Sequence, residues 1–278
     1  MFFLLLAVLS SAMVSIVMRI SSAKVSANLS MLATNYLICS LLGAGYAGFD
    51  LWLPRIPGFS LTVGLGALAG VLYLAGFVML QRSVRKNGVV LSSVFMKLGL
   101  LVPITMSMLF FGEIPTAAQV VGFTIALCAI VVINLKKDGE SKGFGMGLIL
   151  LLLVGGGCDA MSKVYEVFGA AALSEQFLFY TFLVAFLLCA ALVIREKEHF
   201  GLQDLAFGAL IGIPNFFSAK FLLLALNTLP AVVVYPSFSV ATLLLITLTG
   251  VAVFKERLSR LQWAALAAIV AALILLNI

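Results

Sequence analysis

The chain has 278 residues, of which 63% are hydrophobic and 10% charged, whereas soluble domains run at about 25% charged. That balance excludes a soluble enzyme or binding domain and describes a polytopic membrane protein. The formal charge of +6 is scattered over short segments between apolar runs; with no extended basic face it excludes nucleic acid and leaves lipid headgroups of the bilayer as the partner of these residues.

Ten apolar runs follow in order, over 2–19, 29–49, 60–81, 88–111, 117–135, 143–165, 174–194, 203–226, 230–254 and 261–277. Each is near the ~20 residues that cross a bilayer. Lipid gives no partner to a free N–H or C=O, so each is expected to be helical. The fold class is therefore an all-α integral membrane protein with ten transmembrane helices. Residues 2–19 read as a span and not a secretory signal, because no basic residue precedes their apolar core. Pro103, Pro214 and Pro236 fall inside runs and predict kinks in the fourth, eighth and ninth helices. Cys39, Cys128, Cys158 and Cys189 lie in apolar runs without metal or redox spacing and read as small apolar fillers. No metal and no cofactor is expected.

The second half repeats the first. Val89, Phe95, Leu100, Leu101 and Phe111 are matched 143 residues later by Val232, Phe238, Leu243, Leu244 and Phe254. Gly66-Ala67-Leu68 and Gly70 recur as Gly208-Ala209-Leu210 and Gly212, and Glu113, Gln119 and Asn134 as Glu256, Gln262 and Asn277. The two copies, 1–139 and 140–278, hold five spans each. An odd number makes the second copy enter from the opposite face, so the plan is two inverted five-helix repeats, characteristic of secondary transporters.

Segments after the odd-numbered spans hold Arg19, Lys24, Arg82, Arg85, Lys86, Lys136, Lys137, Lys142, Arg195, Lys197, Lys255, Arg257 and Arg260, and the opposite face holds only Arg55. The positive-inside rule makes the first set cytoplasmic and places both termini outside a cell membrane.

Inside the spans, polar residues mark the candidate site. Lys97 stands near the middle of the fourth run, where a lysine costs about 2.5–3.5 kcal/mol and is expected to face protein or a watery cavity; Ser93 lies one turn before it. Its repeat position is Val240, so packing of the repeat does not require it. Asp159, Ser162, Lys163 and Glu166 form one stripe of the sixth helix. Asp159 and Lys163 are spaced to pair within that helix, or to exchange partners with a proton or cargo as coupling residues. Asn215 and Phe216 follow Pro214 in the eighth helix, where freed carbonyls suit a polar cargo, and Lys220 lies nearer the membrane face. Tyr235, Ser239 and Thr242 share a face of the ninth helix, and Tyr73 on the third completes the wall. These hydroxyls also suit bonds between helices. Gly66 and Gly70, with Gly208 and Gly212, read as packing seams; Gly155, Gly156 and Gly157 predict a bend in the sixth helix. Glu113 and Glu256 are expected to bind backbone N–H groups at the start of the following helix.

Phe111-Gly112-Glu113 with Gln119 and Gly122, and Phe254-Lys255-Glu256-Arg257 with Gln262, resemble the ten-helix EamA type of the drug/metabolite transporter superfamily over the full length. Asn35-Tyr36, and Lys97 followed by Pro103, resemble a bacterial subgroup. The resemblance implies a basket of helices around a central cavity, with helices one, three, four, six, eight and nine lining it and five and ten outside. It also implies cargo among amino acids, amines, nucleotide sugars and other small metabolites. Ten-helix members are described with both termini cytoplasmic; the loop charges here argue the reverse.

The function expected is secondary active transport, as exporter or exchanger, of a small polar metabolite by alternating access. The three intramembrane lysines Lys97, Lys163 and Lys220 outnumber the deep carboxylate Asp159, which favours an amino acid or other carboxylate-bearing cargo, with protons as the coupling ion. No nucleotide-binding loop is present. The alternatives are a flippase of a lipid or lipid-linked sugar, and a membrane-embedded enzyme, for which His199 lacks partners at ligand spacing. No enzyme activity is expected, and the protein is expected to be a monomer or loose dimer.

Overall fold

The computed structural model describes residues 1–278 except 22, 23, 26, 54, 88, 135–145, 254, 256–259 and 278; for 81, 84, 85, 87, 89–91, 93, 94, 133 and 134 it describes the backbone alone. Lys136, Lys137, Lys142, Phe254, Glu256, Arg257 and the boundary at 139 and 140 therefore lie outside the described residues, as do the side chains of Arg85, Ser93 and Asn134.

The elements are α1 (Phe2–Ser21), α2 (Asn28–Tyr46), α3 (Phe59–Asn87), α4 (Val89–Leu98), α5 (Leu101–Phe110), α6 (Ala117–Asn134), α7 (Met146–Phe168), α8 (Ser174–Glu196), α9 (Leu202–Leu226), α10 (Ala231–Ala252) and α11 (Arg260–Leu276), with a short 3-10 turn at Ala171–Leu173. Among the described residues, seven helices are long and apolar enough to cross a membrane, and shorter apolar helices lie over 95–110, 117–132 and 260–276. The ten apolar runs of the sequence thus become helix, one of them in two pieces. That run is the fourth, which breaks into α4 and α5. Pro103 has no N–H to give to the Gly99 carbonyl four residues back, and its ring crowds that oxygen. The carbonyl accepts a tighter bond from Val102 N–H at 2.9 Å, while Leu100 N–H reaches the Lys97 carbonyl at 3.4 Å. The discontinuity therefore falls at Gly99-Leu100, upstream of the proline. Pro214 and Pro236, by contrast, lie inside the unbroken helices α9 and α10.

The entry to α6 explains one repeated residue. Gln119 N–H donates to the Thr116 hydroxyl at 3.2 Å and Thr116 N–H to Gln119 Oε1 at 3.0 Å. This reciprocal pair satisfies two N–H groups that the helix start leaves free. Glu113, expected to serve this start, is engaged elsewhere.

The chain packs into two compact units, each drawing on both halves of the sequence. Apart from Met1, one comprises 75–163 with 228–278 and the other 2–74 with 164–227. In the second unit, Gly70 of α3 meets α8 so closely that an added Cβ would lie 2.5 Å from the Thr181 carbonyl oxygen. Gly212 of α9 meets α2, where a Cβ would lie 2.8 Å from the Asn35 carbonyl oxygen. Both G-x-x-x-G faces are helix seams, as their spacing predicts. In the first unit, Gly122 of α6 packs on Ala272 and Leu275 of α11. Phe95, Leu148 and Leu151, with Met79, Leu80, Met96 and Leu152, form a core joining α3, α4 and α7.

Candidate functional site

In the first unit the glycine triplet of α7 meets the break in the fourth span. A Cβ on Gly156 would run into the Gly99 carbonyl oxygen and the Val102 side chain, and a Cβ on Gly99 would lie 2.9 Å from Gly156 N. The triplet was expected to bend the helix. α7 runs unbroken from Met146 to Phe168, and within it the missing side chain at Gly156 lets two backbones touch. Lys97 stands two residues before this contact and Asp159 three residues after it. Lys97 lies in the last turn of α4, where the carbonyl end of the helix favours a cation. Its side chain is half-buried and that of Asp159 is exposed, and the two are near enough to act on each other electrostatically. Among the described residues, no hydrogen bond or ion pair closes between them.

Tyr235 of α10 approaches the same turn. Its hydroxyl donates to the Asp159 carbonyl oxygen at 2.8 Å, and the ring is buried. Ser239, one turn further along α10, is half-buried. The hydroxyls of Ser107 and Thr242 are buried without a partner among the described residues. Besides the lysine and carboxylate flanking the Gly99–Gly156 contact, the same unit holds these hydroxyls, and groups of these kinds can hold a small polar molecule by charge and hydrogen bonding.

Lys163 corrects an expectation. Its ammonium is 2.8 Å from Glu113 Oε1, so the pair drawn within α7 from Asp159 to Lys163 gives way to one between α7 and the segment after α5. Glu113 Oε2 in turn accepts the Val232 N–H at 3.1 Å. The carboxylate serves a helix start, but that of α10 rather than of the helix that follows it.

The second unit holds the remaining candidates. Asn215 is half-buried and donates to Asn35 Oδ1 at 3.1 Å and to Cys39 Sγ at 3.7 Å; Cys39 donates to the Gly212 carbonyl oxygen at 3.2 Å. Phe216 is fully buried and packs against the Tyr46 ring at 5.6 Å. Tyr73 meets Phe182 edge-on at 5.6 Å and Tyr36 at 6.4 Å. Lys220 is paired: its ammonium is 2.7 Å from Glu175 Oε1 and 3.4 Å from the centre of the Tyr46 ring. The structure therefore brings together Lys97, Asp159, Tyr235 and Ser239 in one unit, and Tyr73, Asn215, Phe216 and Lys220 belong to the other. Glu113 and Glu175 were missed as lysine partners; their position near span ends was the only signal in the sequence.

The sequence model of the EamA-like transporter family matches residues 1–135. An uncharacterised protein of Haemophilus influenzae is 25% identical over 94% of this chain and 92% of its own length. A solved crystal structure at 18% identity superposes with a TM-score of 0.71 over 99% of this chain and 94% of its own, which shows that the two share a fold.

Proposed function

We propose that the protein, whose residues 1–135 match the EamA-like transporter family of the drug/metabolite transporter superfamily, is a secondary active transporter of an amino acid or related carboxylate-bearing metabolite. The observation that carries this assignment is an ammonium and a carboxylate, Lys97 and Asp159, held on either side of the Gly99–Gly156 contact and not joined to each other among the described residues. A charged lysine inside a span is costly. A zwitterion offsets that cost for both groups at once, its carboxylate on Lys97 and its ammonium on Asp159, while Tyr235 keeps the Asp159 turn in place.

Asp159 then has two alternative occupants, the cargo ammonium and a proton. Exchange of one for the other couples transport to the proton gradient. The broken fourth span supplies a discontinuous helix of the kind that alternating-access transporters use at their sites. With Gly99 and Gly156 as the touching points, re-aiming of α4 against α7 opens the site to one side at a time. Residues 140–278 act as the inverted second copy, in a cell membrane with the segments after odd-numbered spans on the cytoplasmic side, and the protein works as a monomer or loose dimer.

The test is an unbiased metabolite screen by thermal stabilisation of the detergent-solubilised protein, since ligands that bind only the folded state raise its apparent stability. Amino acids and carboxylates are expected to stabilise the wild type and to lose that effect in Lys97→Ala. Stabilisation by lipids or lipophilic cations alone would overturn the assignment.

A further inference from the structure

Each residue of the Phe111-Gly112-Glu113 word has a separate position in the first unit. Gly112 has φ of 68°, a left-handed conformation that suits glycine; it ends the turn after α5 and leaves the Glu113 N–H on the Ser107 carbonyl at 3.2 Å. The Phe111 ring has the Lys163 ammonium 5.9 Å from its centre. Glu113 divides its two oxygens between helices: Oε1 lies against the Lys163 ammonium at 2.8 Å, and Oε2 accepts the Val232 N–H at 3.1 Å. Val232 is in the first turn of α10, whose cap residue is Pro230 and makes no side-chain cap bond. A proline has no oxygen on its side chain to offer, so a carboxylate from another segment meets the N–H that the helix start leaves open. The positive end of the α10 dipole favours it there.

A second link joins the same two helices one turn away, from the Tyr235 hydroxyl to the Asp159 carbonyl at 2.8 Å. Going back along α7 from Lys163 to Asp159 corresponds to going forward along α10 from Val232 to Tyr235. The two links are successive rungs between antiparallel helices, and the inner rung bears on Asp159.

We propose that Glu113 and Lys163 are positioning residues for the Lys97–Asp159 site. By tying α7 to the first turn of α10, the shared carboxylate fixes the register in which Tyr235 meets the Asp159 turn. The task of Asp159 rests on the transporter assignment; the register does not.

Cys158 precedes Asp159, is half-buried and is a free thiol, so its reactivity reports the packing of this turn without any cargo. The experiment labels the full chain in detergent with N-ethylmaleimide and follows Cys158 and Cys189 separately by mass spectrometry. Glu113→Ala and Lys163→Met are expected to raise the Cys158 rate about threefold or more, a size in keeping with coupling between directly bonded residues. Glu113→Gln, which keeps an acceptor for Val232, falls between; Lys163→Arg, which keeps the charge, returns to the wild-type rate. Cys189, buried in the other unit, stays unchanged. A wild-type Cys158 rate in Glu113→Ala overturns the proposal. So does a rise of both thiols in every Glu113 and Lys163 variant, Lys163→Arg included, which would mark a general structural role. Failure of cargo uptake alone leaves these rates as they are and bears only on the transporter assignment.

Discussion

Lys220 stands 3.4 Å from the centre of the Tyr46 ring while its ammonium is 2.7 Å from Glu175. The charge that made it a candidate is thus met twice within its own unit. Lys97, in the other unit, has an electrostatic neighbour in Asp159 and no ion pair with it. The two intramembrane lysines are therefore expected to respond differently to removal.

Lys220→Met is expected to lower stability by about 1–3 kcal/mol, less than the 3–5 kcal/mol of a fully buried pair, because the Glu175 side chain is 30% exposed. Adding Glu175→Gln should recover at least part of that loss, since no carboxylate is then left without its partner. A double-mutant cycle from thermal unfolding in detergent measures this, and strictly additive losses would show that the pair contributes nothing.

Lys97→Ala is expected to abolish uptake of a carboxylate-bearing cargo in proteoliposomes while leaving the unfolding temperature unchanged or raised, because an expensive charge has been removed. Full uptake in this variant would take Lys97 out of the site.

Asp159→Asn should lose accumulation driven by a proton gradient and keep exchange of labelled for unlabelled cargo only at raised cargo concentration, since exchange needs no net proton movement but the amide oxygen holds the cargo ammonium without a charge. Tyr235 bonds the backbone carbonyl at 159 and not the carboxylate, so the fold survives this change. Accumulation at the wild-type level would reject the coupling role.

Two glycines of α3 give opposite predictions. At Gly64 an added Cβ meets nothing within 4 Å, and Gly64→Ala is expected to stabilise by up to about 1 kcal/mol through helix propensity. At Gly70 the same atom would lie 2.5 Å from the Thr181 carbonyl, and Gly70→Ala is expected to cost about 1–3 kcal/mol as α3 and α8 are pushed apart. Unfolding temperatures measured side by side decide it; equal effects would mean that the seam is not tight.

Helix positions were legible in the sequence because the need to satisfy every backbone group in lipid acts on each run by itself. Run 117–135, for example, becomes α6 at Ala117–Asn134. The glycine seams of α3 and α9 were legible for a similar reason, since close approach demands small residues at fixed spacing. Lys97 and Asp159 were conspicuous by their cost. What each charge meets was not legible. Glu113 lies fifty residues from Lys163 in the chain and Glu198, which accepts the Leu29 and Ser30 N–H groups at 3.0 and 3.1 Å, lies 169 and 168 residues from them; only packing sets such pairs. The Tyr235 bond ends on a backbone carbonyl, an acceptor present at every residue and therefore invisible as a pattern. The role of the α7 glycines depended on the Gly99 backbone that faces them. Hydropathy is a property of a segment and cost a property of a residue, so the sequence alone determined both; partnership belongs to two surfaces in contact, and only the tertiary structure decided it.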